Sequence, residues 1–171
     1  MKVAGLLLFL PLVAACGSTS IGDEIDRGSC APGLRLTVVP KAKPEWYPGP
    51  GPIVTAQLRN DGERPVWLRK GGKLHFEVRD SSGREVPWGG FPPNVDGRSR
   101  GELGVMKVGD VDPRDKDLSI HHKLVTGERY SVIAYYDAET RGPGAPPPGA
   151  CVFTGTLVST PIVVEGPPKR D

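Results

Sequence analysis

The sequence predicts an all-β chain, an antiparallel sandwich of about seven to nine strands, on three observations. Apolar residues recur with period two in short runs, so that alternate side chains share one face, as a half-buried strand requires. Turn-forming residues break those runs at intervals of about 8 to 12 residues, the spacing of a sandwich. Nowhere does an apolar pattern keep a helical period over three turns. The 23 glycines and 19 prolines among 171 residues cluster between the apolar segments, which suits many short loops.

Taken in order, the chain opens with a segment that is not part of the sandwich. Met1 to Val13 has one charge, Lys2, and then an apolar run that starts at Val3. A basic start, an apolar middle and small residues before a cleavage point are the layout of a secretory signal, here a signal helix over residues 1–15. The run is too short to span a bilayer, which takes roughly 20 apolar residues. Residues 17–29 are small and polar with no sustained period, so 16–29 is expected to be a flexible tether and 30–166 the folded domain, with 167–171 a disordered tail.

From Leu34 the period is two: Leu34, Leu36 and Val38 face inward, Arg35, Thr37 and Val39 outward. Five prolines between Pro40 and Pro52 then mark a connector that holds Trp46 and Tyr47. The next strand points Val54, Ala56 and Leu58 inward and Thr55, Gln57 and Arg59 outward, and Asn60-Asp61-Gly62 turns it. Val66-Trp67-Leu68 is a third strand, with Trp67 out of phase with its neighbours. Leu74, Phe76 and Val78 form the inward face of a fourth, and Asp80 to Gly83 turns it back into Glu85, Val86 and Trp88 as a hairpin. Residues 89–101 read as loop, Leu103, Val105 and Val108 as a short strand, Asp110 to Asp117 as a solvated acidic loop, and Leu118 with Ile120 as another strand. Tyr130 to Tyr136 is the clearest late strand; Gly142 to Gly149 is a second proline-rich loop; Val152 to Val158 and Ile162 to Val164 close the domain.

Two resemblances rest on these residues. Val13-Ala14-Ala15-Cys16 resembles the lipobox of bacterial lipoproteins. That family carries acyl chains on the cysteine, which implies lipidation of Cys16, and Gly17 in place of an aspartate implies the outer membrane. At about 0.8 kcal/mol per buried methylene, several acyl chains on one residue make a permanent anchor. The strand order, the Asn-Asp-Gly turn before Pro65-Val66-Trp67, and Tyr130 three residues after Gly127 resemble immunoglobulin-like domains of secreted bacterial proteins. A tyrosine so placed is similar to the tyrosine corner of Greek-key sandwiches. The same features are similar to proteinase-inhibitor domains of that shape, which implies an alternative role in which Glu45 to Pro52 or Gly142 to Gly149 enters a protease cleft.

Among the three cysteines, Cys16 goes to lipid and leaves Cys30 and Cys151, a pair expected to form a disulfide in an oxidising compartment. Lysine plus arginine number 22 and aspartate plus glutamate 20, interleaved without a block of either sign, so no nucleic-acid or anionic-lipid footprint is expected.

Asp110, Asp112, Asp115 and Asp117 are the one acidic constellation, oxygen donors of the kind calcium takes. They lack the glycine and bidentate glutamate of an EF-hand loop, Arg114 and Lys116 offset half their charge, and no bound metal is expected. His121 and His122, if on a strand, point to opposite faces and cannot share an ion. No nucleophile elbow, Ser-x-x-Lys pair, His-Glu-x-x-His or phosphate-cradling glycine pattern occurs, so neither enzyme activity nor a cofactor is expected. Trp46, Tyr47 and Trp88 sit beside loops rich in Pro and Gly, where they serve as a binding edge for an envelope protein or glycan, or else plug the sandwich ends. The expected role is therefore a lipid-anchored binding or scaffolding module, with a metal-binding or enzymatic protein the remaining class.

Overall fold

A computed structural model describes residues 32–44, 49, 51–69, 73–89, 103–138 and 144–168. Nine strands lie among the described residues: β1 Leu34–Lys41, β2 Ile53–Asn60, β3 Val66–Arg69, β4 Lys73–Arg79, β5 Leu103–Met106, β6 Val111–Asp117, β7 Arg129–Asp137, β8 Thr156–Val158 and β9 Ile162–Glu165. One sheet has the order β1-β2-β6; in another β4 and β7 pair, and β7 also pairs with β8 and β9; these strands all pair antiparallel, while the isolated bridge between Trp67 and Val152 is parallel. β1 packs across the core on β7, β8 and β9, which makes the chain an all-β sandwich. Among the described residues no helix is long and apolar enough to cross a membrane.

The period-two reading holds where one face is apolar. Leu34, Leu36 and Val38 of β1, Val54, Ala56 and Leu58 of β2, and Tyr130, Val132, Ala134 and Tyr136 of β7 are all buried. Phe153, Leu118 and Phe76 fill the space between the layers. The Tyr130 hydroxyl accepts a hydrogen bond from the Val125 N–H at 2.6 Å, so the tyrosine does tie its strand to the connection before it.

β2 with β3, and β5 with β6, form one long antiparallel ribbon bent in the middle. Ile53 pairs with Asp117 and Arg59 with Val111 in the first half, Val66 with Met106 and Arg69 with Leu103 in the second. Past the bend, β3 leaves the first sheet: the Trp67 N–H donates to the Cys151 carbonyl at 2.7 Å, and the Phe153 N–H donates to Trp67 at 2.9 Å. Asn60 holds the bend. Fully buried, it donates through Nδ2 to the carbonyls of Arg64 and Met106, both at 3.0 Å, and accepts from the Gly62 N–H at 3.1 Å. Its own N–H donates to Asp110, and its carbonyl accepts from Gly109, which has φ of +83° that its lack of a side chain allows.

Several segments depart from the sequence reading. The stretch from Asp110 to Asp117 is not a solvated loop: Val111 to Asp117 is strand β6, at the edge of its sheet among the described residues. Its inward positions, on the face of Leu58, Ala56 and Val54, are Asp112, Arg114 and Lys116, so the alternation is carried by charge and leaves no apolar trace. Inward charges and Pro113 suit an edge strand, since both discourage pairing with another chain. Leu118 to Ile120 is a 3-10 turn and not a strand, capped by the Asp117 carboxylate on the Ser119 N–H at 2.8 Å. β5 stops at Met106, and Val108 lies in the following turn. Beyond Asp80, whose Oδ1 accepts from Ser82 and Arg84, the returning hairpin arm is reduced to single bridges at Glu85 and Trp88. Val152 makes a lone bridge to Trp67, and only Thr156 to Val158 forms a strand.

Candidate functional site

The bend leaves a half-open groove of about 400 Å³ where β5 turns into β6. Leu58, Leu68 and Met106, all buried, form its floor; Val105 and Val111, both partly exposed, line its sides. Asp110, Asp112 and Arg114 stand at its rim. Arg114 donates to Asp112 at 2.9 Å, and its guanidinium lies 5.8 Å from the centre of the Tyr136 ring, which belongs to the opposite sheet. An apolar floor with a few fixed polar groups at the mouth is the chemistry of a site for an apolar group, and the volume lies in the range of small-ligand pockets.

The four aspartates of the acidic stretch are separated by the pleat. Asp112 faces inward to Arg114; Asp110 accepts from the Lys107 N–H at 2.7 Å and closes the turn. Asp115 accepts from Thr55 Oγ1 at 2.7 Å and pairs with Lys41, and these contacts, the lysine first, hold its carboxyl below the usual range. Asp117 accepts from the Ser119 N–H and hydroxyl. Among the described residues no three histidine, cysteine or acidic side chains converge as a metal would need.

The histidines behave differently from the strand expectation. Because the 3-10 turn precedes them, His121 and His122 are not thrown to opposite faces, and both rings pack on Trp88. His121 stacks on it with centroids 4.2 Å apart, and His122 meets it edge-on at 5.3 Å. His122 is buried, and its Nδ1 is 3.1 Å from the Val86 carbonyl, a contact in which Nδ1 carries the proton. Burial lowers the pKa of both rings, and Lys116 adds to it; Lys116, itself lowered by burial, lies 5.9 Å from the Trp88 ring centre. Trp88 is thus half-enclosed at the sandwich end.

Trp46, Tyr47, Cys16 and Cys30 lie outside the described residues. Cys151 is buried in the core beside β3. The groove had no sequence signal of its own, since its floor comes from three strands that only the bend brings together.

Fold and groove together define a class, an all-β sandwich with an open apolar cleft at one pole. Compared with known proteins, the chain matches no family model and no curated protein.

Proposed function

We propose that this chain is a bacterial envelope lipoprotein, acylated on Cys16, whose immunoglobulin-like sandwich binds an envelope partner without catalysis. The groove over Leu58, Leu68 and Met106 carries the binding half of this reading, because a buried apolar floor left open at its mouth favours an apolar group from outside. The anchor half, and with it an outer-membrane location, rests on Val13 to Gly17. A Cys30 to Cys151 disulfide belongs to the same reading. It is supported by the burial of Cys151 and by the assignment of Cys16 to lipid.

The test is intact mass and detergent partition of the expressed chain beside Cys16→Ser. The expected result is an added acyl mass that the variant lacks, with a two-proton deficit that disappears on reduction. An unmodified, water-soluble product with free thiols would overturn the reading. The proteinase-inhibitor alternative is supported by one feature, the exposure of Gly144 to Gly149 with its three consecutive prolines. Cleavage assays with a panel of serine and cysteine proteases separate the two, since only an inhibitor slows them at stoichiometric ratio.

A further inference from the structure

The two turns that Asn60 clamps form one pole of the sandwich, and the described chain enters at that pole. Gly33 meets Gly62 so closely that a Cβ on Gly33 would stand 2.1 Å from the Gly62 Cα, and its carbonyl accepts from the Asp61 N–H at 2.8 Å. Whatever precedes residue 32 therefore joins the fold here. At the same pole the corner between β5 and β6 exposes three valines: Val105 at 40 %, Val108 at 51 % and Val111 at 44 %. Val108 occupies the turn itself, and Val111 lies beside Arg59 across the sheet.

The charges around these valines nearly cancel: Arg35, Arg59, Arg64 and Lys107 against Asp61, Glu63 and Asp110, all of them exposed, leave one net positive charge. Arg59 pairs with Asp61 at 3.2 Å, and Asp110 is turned back onto the Lys107 N–H. An apolar tip ringed by nearly neutral charge fits a zwitterionic lipid surface: the valines enter the acyl boundary, and the charged groups stay among the headgroups.

We propose that this pole is a membrane-docking face, with Val108 at its centre and Val105 and Val111 flanking it, seated on the bilayer that holds the anchor. The proposal rests on the lipidation of Cys16. Sixteen residues separate Cys16 from Gly33, and a linker of that length holds the pole near the surface at an effective concentration of order millimolar. A patch too small to bind lipid from free solution then docks. Docking also brings the groove mouth to the membrane surface, so its partner is met there.

The experiment uses the full acylated chain in phosphatidylcholine vesicles, with a benzophenone-bearing amino acid in place of Val108 or, as control, Ile120. Ile120 is 59 % exposed, as accessible as Val108, and follows the far end of β6, roughly 20 Å away at about 3.3 Å per residue. Both sites are exposed, so neither replacement disturbs the core. The expected result is a lipid adduct at position 108 at least about fivefold above that at 120, unchanged by raising the salt, because screening acts on charge and not on apolar contact. Equal yields at the two positions, or adducts at 108 to protein instead of lipid, would overturn the docking. Intact mass of the same samples separates the causes: an acylated chain with equal yields fails the docking alone, whereas an unmodified Cys16 fails the anchor and the docking together.

Discussion

Asn60 Nδ2 donates to the carbonyl of Met106 at 3.0 Å, joining residues 46 positions apart across the bend of the ribbon. No water reaches this side chain, and it satisfies three backbone groups at once. Replacing it with alanine leaves buried donors and acceptors unpaired, so Asn60→Ala is expected to cost about 2–3 kcal/mol. Urea unfolding checks this. Asn60→Asp is expected to be at least as severe, because a carboxylate would face two carbonyls with nothing to donate. A loss below about 0.5 kcal/mol would mean that the bend is held by its turns alone.

Tyr130 offers a cleaner measurement. Its ring is buried, and Tyr130→Phe keeps that packing while removing the acceptor for the Val125 N–H. The expected loss is about 1 kcal/mol with little change in the denaturant slope. Amide exchange at Val125 should quicken in step.

Stability should fall on acidification through the range in which a free histidine titrates, near pH 6.5. Burial first, and then Lys116, lowers the pKa of both His121 and His122 in the folded state. Around His121 stand Lys116, His122 and Asp117, the last opposing the shift; around His122 stand Lys116, Glu85 and the Val86 carbonyl. The unfolded chain therefore takes up protons first as pH drops. The stability due to neutral rings is complete above the unfolded pKa and lost as pH falls through the folded one. His122→Phe should flatten that limb, as thermal melts at pH 7.5 and 5.5 would reveal, and an unchanged slope would point to other groups.

Among the described residues β6 pairs with no strand but β2, and its other edge is guarded by Pro113, opposite Gln57, and by its inward charges. Pro113→Val restores an N–H to an exposed edge and removes the kink-prone ring, so self-association is expected to rise. Sedimentation velocity at increasing concentration would detect it; a monomer at all concentrations would show that the charges suffice.

How much of this was readable beforehand differs from strand to strand. β1, β2, β4 and β7 could be read because one face of each is apolar and the other polar, and that alternation is written in the residues themselves. Tyr130 could be read for a similar reason, since the hydroxyl's partner lies only five residues back. β6 could not, because at the open edge of the sandwich its inward side chains are charged, and their heads reach the groove or the Trp88 cluster instead of a dry core. The placing of the histidines depends on the same segment, since a 3-10 turn in place of a strand changes which way neighbouring side chains point.

What the sequence determined by itself, then, is the layered all-β architecture, because period-two burial and turn chemistry are local properties that need no knowledge of partners. Where the ribbon bends, which strands lend Leu58, Leu68 and Met106 to one groove, and which pole gathers the exposed valines were decided only in the tertiary structure. Each of these depends on contacts between residues far apart in the chain, of which the hydrogen bond from Asn60 to Met106 is the plainest case: either residue alone carries no sign of the other.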